Sequence, residues 1–172
     1  MFAYEAGEES EEAFYTDIGL SLSAHRGKGA ALVWPRGANL VLEDISAEYT
    51  RDQADRSAPD GGVSPRARPA HERLIRRLRA TLEVVEISAE HWFLGVGQKM
   101  DDTKGHRDVL LLPLEGGFEC RIESADGAPD AAREDSSIHL RVRFGEILYI
   151  PEKLGFSVAE AHSRCGILKL EF

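Results

Sequence analysis

The stretch Gly145-Glu146-Ile147-Leu148-Tyr149-Ile150-Pro151 sets an acidic residue after a glycine, then four apolar residues, then a proline. So short a run, bounded by Gly and Pro, reads as a hydrophobic strand from Glu146 to Ile150. Working outward, Val109-Leu-Leu-Leu112 is continuous enough to be a strand buried on both faces, whereas Phe118-Glu-Cys-Arg-Ile-Glu123 alternates as a half-exposed strand does. Glu115-Gly116-Gly117 between them is a tight hairpin signal. Further period-two segments run from Glu83 to Ser88, Glu90 to Val96, Arg107 to Leu114, Ile138 to Phe144, Phe156 to Ala161 and Gly166 to Phe172. The polar stretch Ala125 to Asp135 reads as the longest loop of this half.

The first half is less regular. Order is expected to begin at Gly29, with short strands over Gly29–Pro35 and Ala38–Ile45, a surface helix over Ala47–Arg56 after Ser46 as N-cap, and a loop over Asp60–Pro65. A clearer helix starts at Pro69 and runs to Leu82, with Leu74, Ile75, Leu78 and Leu82 on one stripe. Many short strands with one packed helix indicate a mainly β sandwich or barrel.

The chain has 172 residues, with 21 Lys and Arg against 30 Asp and Glu and a formal net charge of −9. That length suits one domain, and 42% hydrophobic with 30% charged residues excludes a disordered tail or a fibre. No apolar run approaches the roughly 20 residues that span a bilayer, so no membrane association is expected. Five Glu and no Lys or Arg stand in the first twelve residues, the opposite charge to a signal or transit peptide, so the expected location is the cytoplasm. Cys120 and Cys165 are too few for a disulfide framework and lack zinc-site spacing, which leaves two small core residues.

Between Arg66 and Arg79 six Arg stand against Glu72, a local +5. No aromatic residues are interleaved to stack bases, and an acidic chain disfavours phosphate backbones, so nucleic acid is not the expected partner. A solvated face pairing with the acidic N-terminus is the simpler reading. The phosphate-loop, nucleophile-elbow and Cys-x-x-Cys signatures are absent.

Gly145-Glu-Ile-Leu-Tyr-Ile-Pro151 resembles the G-D-x-L-Y-I-P signature of cupins, and especially of JmjC-type hydroxylases. Val109-Leu-Leu-Leu-Pro-Leu-Glu-Gly116 is similar to that family's strand and hairpin after its first metal-binding motif. The helix followed by Glu90-His-Trp-Phe-Leu-Gly95 resembles the elements that precede the motif in ribosomal-oxygenase-like members. The resemblance implies a cupin-like double-stranded β-helix, a jelly-roll barrel with one or two flanking helices. It covers residues 29–172 and leaves residues 1–28 as an acidic N-terminal segment.

Hydroxylases of this family hold Fe(II) through a His-x-Asp/Glu pair and a distal His, with positions open for 2-oxoglutarate and oxygen. The resemblance places the pair at Thr103-Lys104-Gly105, which lacks suitable donors, and the distal ligand at Phe156, five residues after Pro151. His106-Arg107-Asp108 has the right spacing but lies three residues too close to the strand, and His162 is six positions beyond Phe156. His25, His71 and His139 have no acidic or thiol partner at useful spacing.

Three readings stay open. The first is a cupin-fold protein that has lost the iron triad and needs no cofactor. It binds a small, partly apolar ligand in the barrel and extends to a metal-independent enzyme of bacterial specialised metabolism, the Ala-, Arg-, Gly- and Asp-rich composition suggesting a high-GC source. Its pocket candidates are His91, Trp92, Gln98, Phe118, Glu119, Tyr149 and Phe156. The second is an oxygenase using Fe(II) and 2-oxoglutarate with a displaced triad of His106, Asp108 and His162. The third is a non-catalytic module that forms a homodimer or docks on a partner.

Overall fold

The computed structural model describes residues 2–56, 68–102, 106–124, 137–161 and 163–172. The chain runs α1 (Phe2–His25), β1 (Ala31–Val33), α2 (Ala38–Arg56) and α3 (Pro69–Leu82). It continues as β2 (Ser88–Leu94), β3 (Met100–Asp102), β4 (Val109–Glu115), β5 (Gly117–Ser124), β6 (Ile138–Arg143), β7 (Ile147–Ile150), β8 (Leu154–Glu160) and β9 (Cys165–Glu171). One sheet has the order β1-β7-β4-β9-β2, the other β3-β8-β5-β6, and the described pairings are antiparallel. From β2 onward the chain crosses repeatedly from one sheet to the other, which winds the strands into a jelly roll.

The larger sheet is buried on both faces. Val109, Leu111, Leu148, Ile150 and Ile167 point between the sheets, where they meet Phe118, Cys120, Ile122, Val142, Phe156 and Val158. Their neighbours Leu110, Leu112, Leu114, Ile147, Tyr149, Leu168 and Leu170 point the other way, into a second core shared with the helices. This double burial is why Val109–Leu112 and Ile147–Ile150 are unbroken apolar runs rather than alternating ones.

The helical layer is larger than the sequence suggested. Order begins within α1, not at Gly29, and Phe14, Ile18 and Leu22 bury one face at successive spacings of four. Ala38–Ile45, expected as a strand, is instead the first half of α2, with Ala38, Leu42, Ile45 and Tyr49 facing the core. The expected strand over Glu83–Ser88 is mostly irregular, and β2 begins only at Ser88. The expected loops at Asp60–Pro65 and Ala125–Asp135 lie outside the described residues.

Helix α3 has the expected bounds, and Pro69 occupies its first turn. Its N-terminus is capped from α2: the buried Glu48 carboxylate accepts the Ala70 N–H at 2.7 Å and the His71 N–H at 3.1 Å. Leu74 and Leu78 are fully buried and Ile75 half-buried, in the core that the helices share with the larger sheet, and α3 packs chiefly against α1 and α2. The arginine face does meet acidic α1, Arg73 pairing with Glu11 at 3.2 Å and Arg77 with Glu12 at 2.6 Å.

Glu115-Gly116-Gly117 is a tight turn, but β4 and β5 belong to different sheets and do not pair as a hairpin. Gly116 has φ +67°, and a Cβ there would come within 2.5 Å of the Arg164 carbonyl oxygen. Only glycine makes this crossing without moving the backbone.

Candidate functional site

Position 156 lies on β8, in register with Asp102 of β3 on one side and Ile122 of β5 on the other. Phe156 is buried and turned into the space between the sheets. From the opposite sheet Trp92 of β2 meets it, ring centroids 6.1 Å apart and planes 28° from parallel. Two residues before Trp92 is Glu90, whose register partner on β9 is Lys169, so the three side chains share one face of their sheet.

Lys169 stands between Leu168 and Leu170 on β9 and its side chain is only 5% exposed. Its Nζ lies 2.5 Å from Glu171 Oε1, 3.7 Å from Glu90 Oε2 and 5.1 Å from the Trp92 ring centroid. The indole Nε1–H donates to Glu90 Oε2 at 3.3 Å. Burying an ammonium is costly without counter-charges, and the two carboxylates and the ring face supply them. Sequence reasoning passed over Lys169, Glu90 and Glu171; the available signal was a lone lysine between Leu168 and Leu170.

Tyr149 is not part of this cluster. Strand alternation turns it to the helical side, where its hydroxyl donates to Asp108 Oδ1 at 3.1 Å. Burial, reinforced by the Asp108 charge and this hydrogen bond, pushes the phenol well above its ordinary value. Asp108 Oδ1 also accepts the Glu152 N–H at 2.9 Å, and Oδ2 lies 3.2 Å from Arg26 Nε just beyond α1. Both carboxylate oxygens are therefore engaged in joining α1, β7 and the turn after it.

The remaining candidates are scattered. His91 faces the helices, stacked on Tyr49 of α2 at 3.9 Å and edge-on to Phe93 at 4.7 Å. Gln98 is exposed in the turn after β2, where its Oε1 accepts the Gly95 N–H at 2.7 Å. Phe118 is buried in the inter-sheet core but stands four positions along β5 from Ile122, roughly 13 Å from the Phe156 level. Glu119 is half-buried between the inward residues Phe118 and Cys120 and is not part of that core. His106 is exposed, whereas His162 and Thr103-Lys104-Gly105 lie outside the described residues.

Iron chemistry needs donor atoms at convergent positions. The ring of Phe156 offers none, and Asp108 spends both oxygens on protein partners. Phe156 at the expected distal position and Asp108 of the displaced triad therefore do not fit the metal.

No protein-family model and no curated protein sequence matches the chain. Solved structures do. A Pseudomonas putida prolyl-4-hydroxylase aligns over 92% of this chain and 93% of its own, at 14% identity and a TM-score of 0.60. A Drosophila melanogaster CENP-C cupin domain covers 49% of this chain and 59% of its own, at 18% identity and TM-score 0.38. RmlC from Streptococcus suis, in complex with dTDP-D-xylose, covers 50% of this chain and 43% of its own, at 8% identity and TM-score 0.41. The full-length match and the strand order give the chain a cupin-like jelly-roll fold. Among the described residues no helix is long and apolar enough to cross a membrane.

Proposed function

We propose that this chain is a small-molecule-binding relative of the JmjC-type hydroxylases in which the iron site has become an apolar one. The ligand sits at the barrel end that carries Phe156, Trp92 and Lys169, with its apolar part against the aromatic pair. The observation that supports this reading is the phenyl ring at the distal ligand position, stacked on an indole from the facing sheet. Such a surface favours an apolar body over 2-oxoglutarate, whose two carboxylates would lose water with no metal to receive them. The oxygenase with a displaced triad is disfavoured by the engagement of Asp108.

Trp92 is the natural reporter. The other tryptophan, Trp34, is 66% exposed, and Trp34→Phe removes its signal from the surface. In that background, a fluorescence screen of small aromatic and aliphatic compounds should yield ligands that shift Trp92 emission, with the shift reduced in Phe156→Leu. Ligands that stabilise the protein while leaving Trp92 emission unchanged would place its function elsewhere.

A further inference from the structure

The described charges beside the aromatic pair differ in sign and in exposure, and the exposed ones constrain the ligand's polar end. Glu90, Glu171 and Lys169 are the charged residues in described contact with one another on this face of the larger sheet, and together they carry −1. Accessibility is as uneven as the sum: the lysine side chain is 5% exposed, whereas Glu90 is 60% and Glu171 30% exposed. What a ligand arriving at Trp92 meets is carboxylate oxygen, not ammonium.

Resting on the proposed site, we infer that its ligand carries a hydrogen-bond-donating head group, a protonated amine in preference to a neutral hydroxyl, joined to an apolar body. The described contacts of Glu90, from the Trp92 indole and from Lys169, both run to Oε2, so Oε1 is available as an acceptor beside the ring. An anionic head approaching the 5% exposed Lys169 side chain would meet the Glu171 and Glu90 carboxylates already paired with it and be repelled by them. A donor head leaves the Lys169 pairs intact and, when protonated, sets a positive charge against the exposed Glu90 carboxylate.

The test uses three probes of similar size and shape on the full chain carrying Trp34→Phe: phenethylamine, 3-phenylpropanol and 3-phenylpropionate, titrated at pH 7 with Trp92 emission as the readout. The expected order of affinity is amine, then alcohol, then carboxylate, with the amine at least about tenfold tighter than the carboxylate and the preference shrinking severalfold in Glu90→Gln. Tighter binding of 3-phenylpropionate, or an unchanged preference in Glu90→Gln, would overturn the donor assignment while leaving the site in place. If none of the three probes perturbs Trp92, the site itself is wrong and both readings fall.

Discussion

The Tyr149 hydroxyl donates to Asp108 Oδ1 at 3.1 Å, and the same carboxylate holds Arg26 at 3.2 Å. A strand of the barrel is thus tied through one buried acid to the end of the first helix. In this structure, the aromatic residue of the stretch that most resembles the cupin signature serves the join between layers.

The strength of that join is measurable. Tyr149→Phe keeps the ring and its packing but removes the hydroxyl, and should cost about 1–3 kcal/mol in urea unfolding at pH 7. Asp108→Ala should cost more, because it leaves both the Tyr149 hydroxyl and the Glu152 N–H without their acceptor. A Tyr149→Phe variant as stable as the parent would show that the contact contributes nothing net.

Why the barrel and α3 were legible while α1 and the first half of α2 were not follows from particular residues. Strands β4 and β7 declare themselves because a sheet covered on both sides needs apolar residues at every position, and Val109–Leu112 and Ile147–Ile150 supply them. Helix α2 was hidden because Leu40, 52% exposed on its outer face, completes an apparent alternation with Leu42 and masks the spacing Ala38, Leu42, Ile45, Tyr49. Acidic residues likewise obscured the Phe14, Ile18, Leu22 stripe of α1. Of the proposed site, position 156 is singled out through the resemblance, whereas the Lys169 cluster depends on register between β2 and β9, which no local pattern encodes.

The two cysteines should be inert in the folded protein. Burial pushes the Cys120 thiol up to about 12, and burial with Glu115 nearby pushes Cys165 up to about 11. Because the fold favours the neutral thiol, the thiolate fraction stays small until well above the ordinary value of about 8.5. Ellman's reagent at pH 8 should therefore react only slowly with native protein and titrate both thiols in denaturant. Fast stoichiometric labelling of the native chain would contradict their burial.

Acid should weaken the contact between α3 and its neighbours. Burial holds the His71 imidazole below its ordinary value, Arg68 adding to the effect while Glu48 and Glu72 oppose it. The unfolded chain therefore takes up this proton first, near pH about 6.5, so the contribution is complete above that pH and is lost as pH falls towards the folded value. Thermal midpoints between pH 7.5 and 5.5 should fall more steeply for the parent than for His71→Gln. Parallel curves would mean that His71 titrates alike in both states.

Phe156 is the residue on which the proposed loss of an iron site turns. It is 3% exposed and makes ring contact with Trp92 across the two sheets, so Phe156→Ala should leave a cavity and cost about 3–5 kcal/mol. Phe156→His restores an imidazole at the distal position but supplies one donor where a facial triad needs three. With Asp108 committed to Tyr149, Glu152 and Arg26, the displaced pair His106/Asp108 offers it no free carboxylate. Incubated with Fe(II) and 2-oxoglutarate, this variant should release no more succinate than the parent. Succinate release recovered by that single change would mean that the rest of the triad survives in residues beyond those described, and the apolar reading of the site would have to be abandoned.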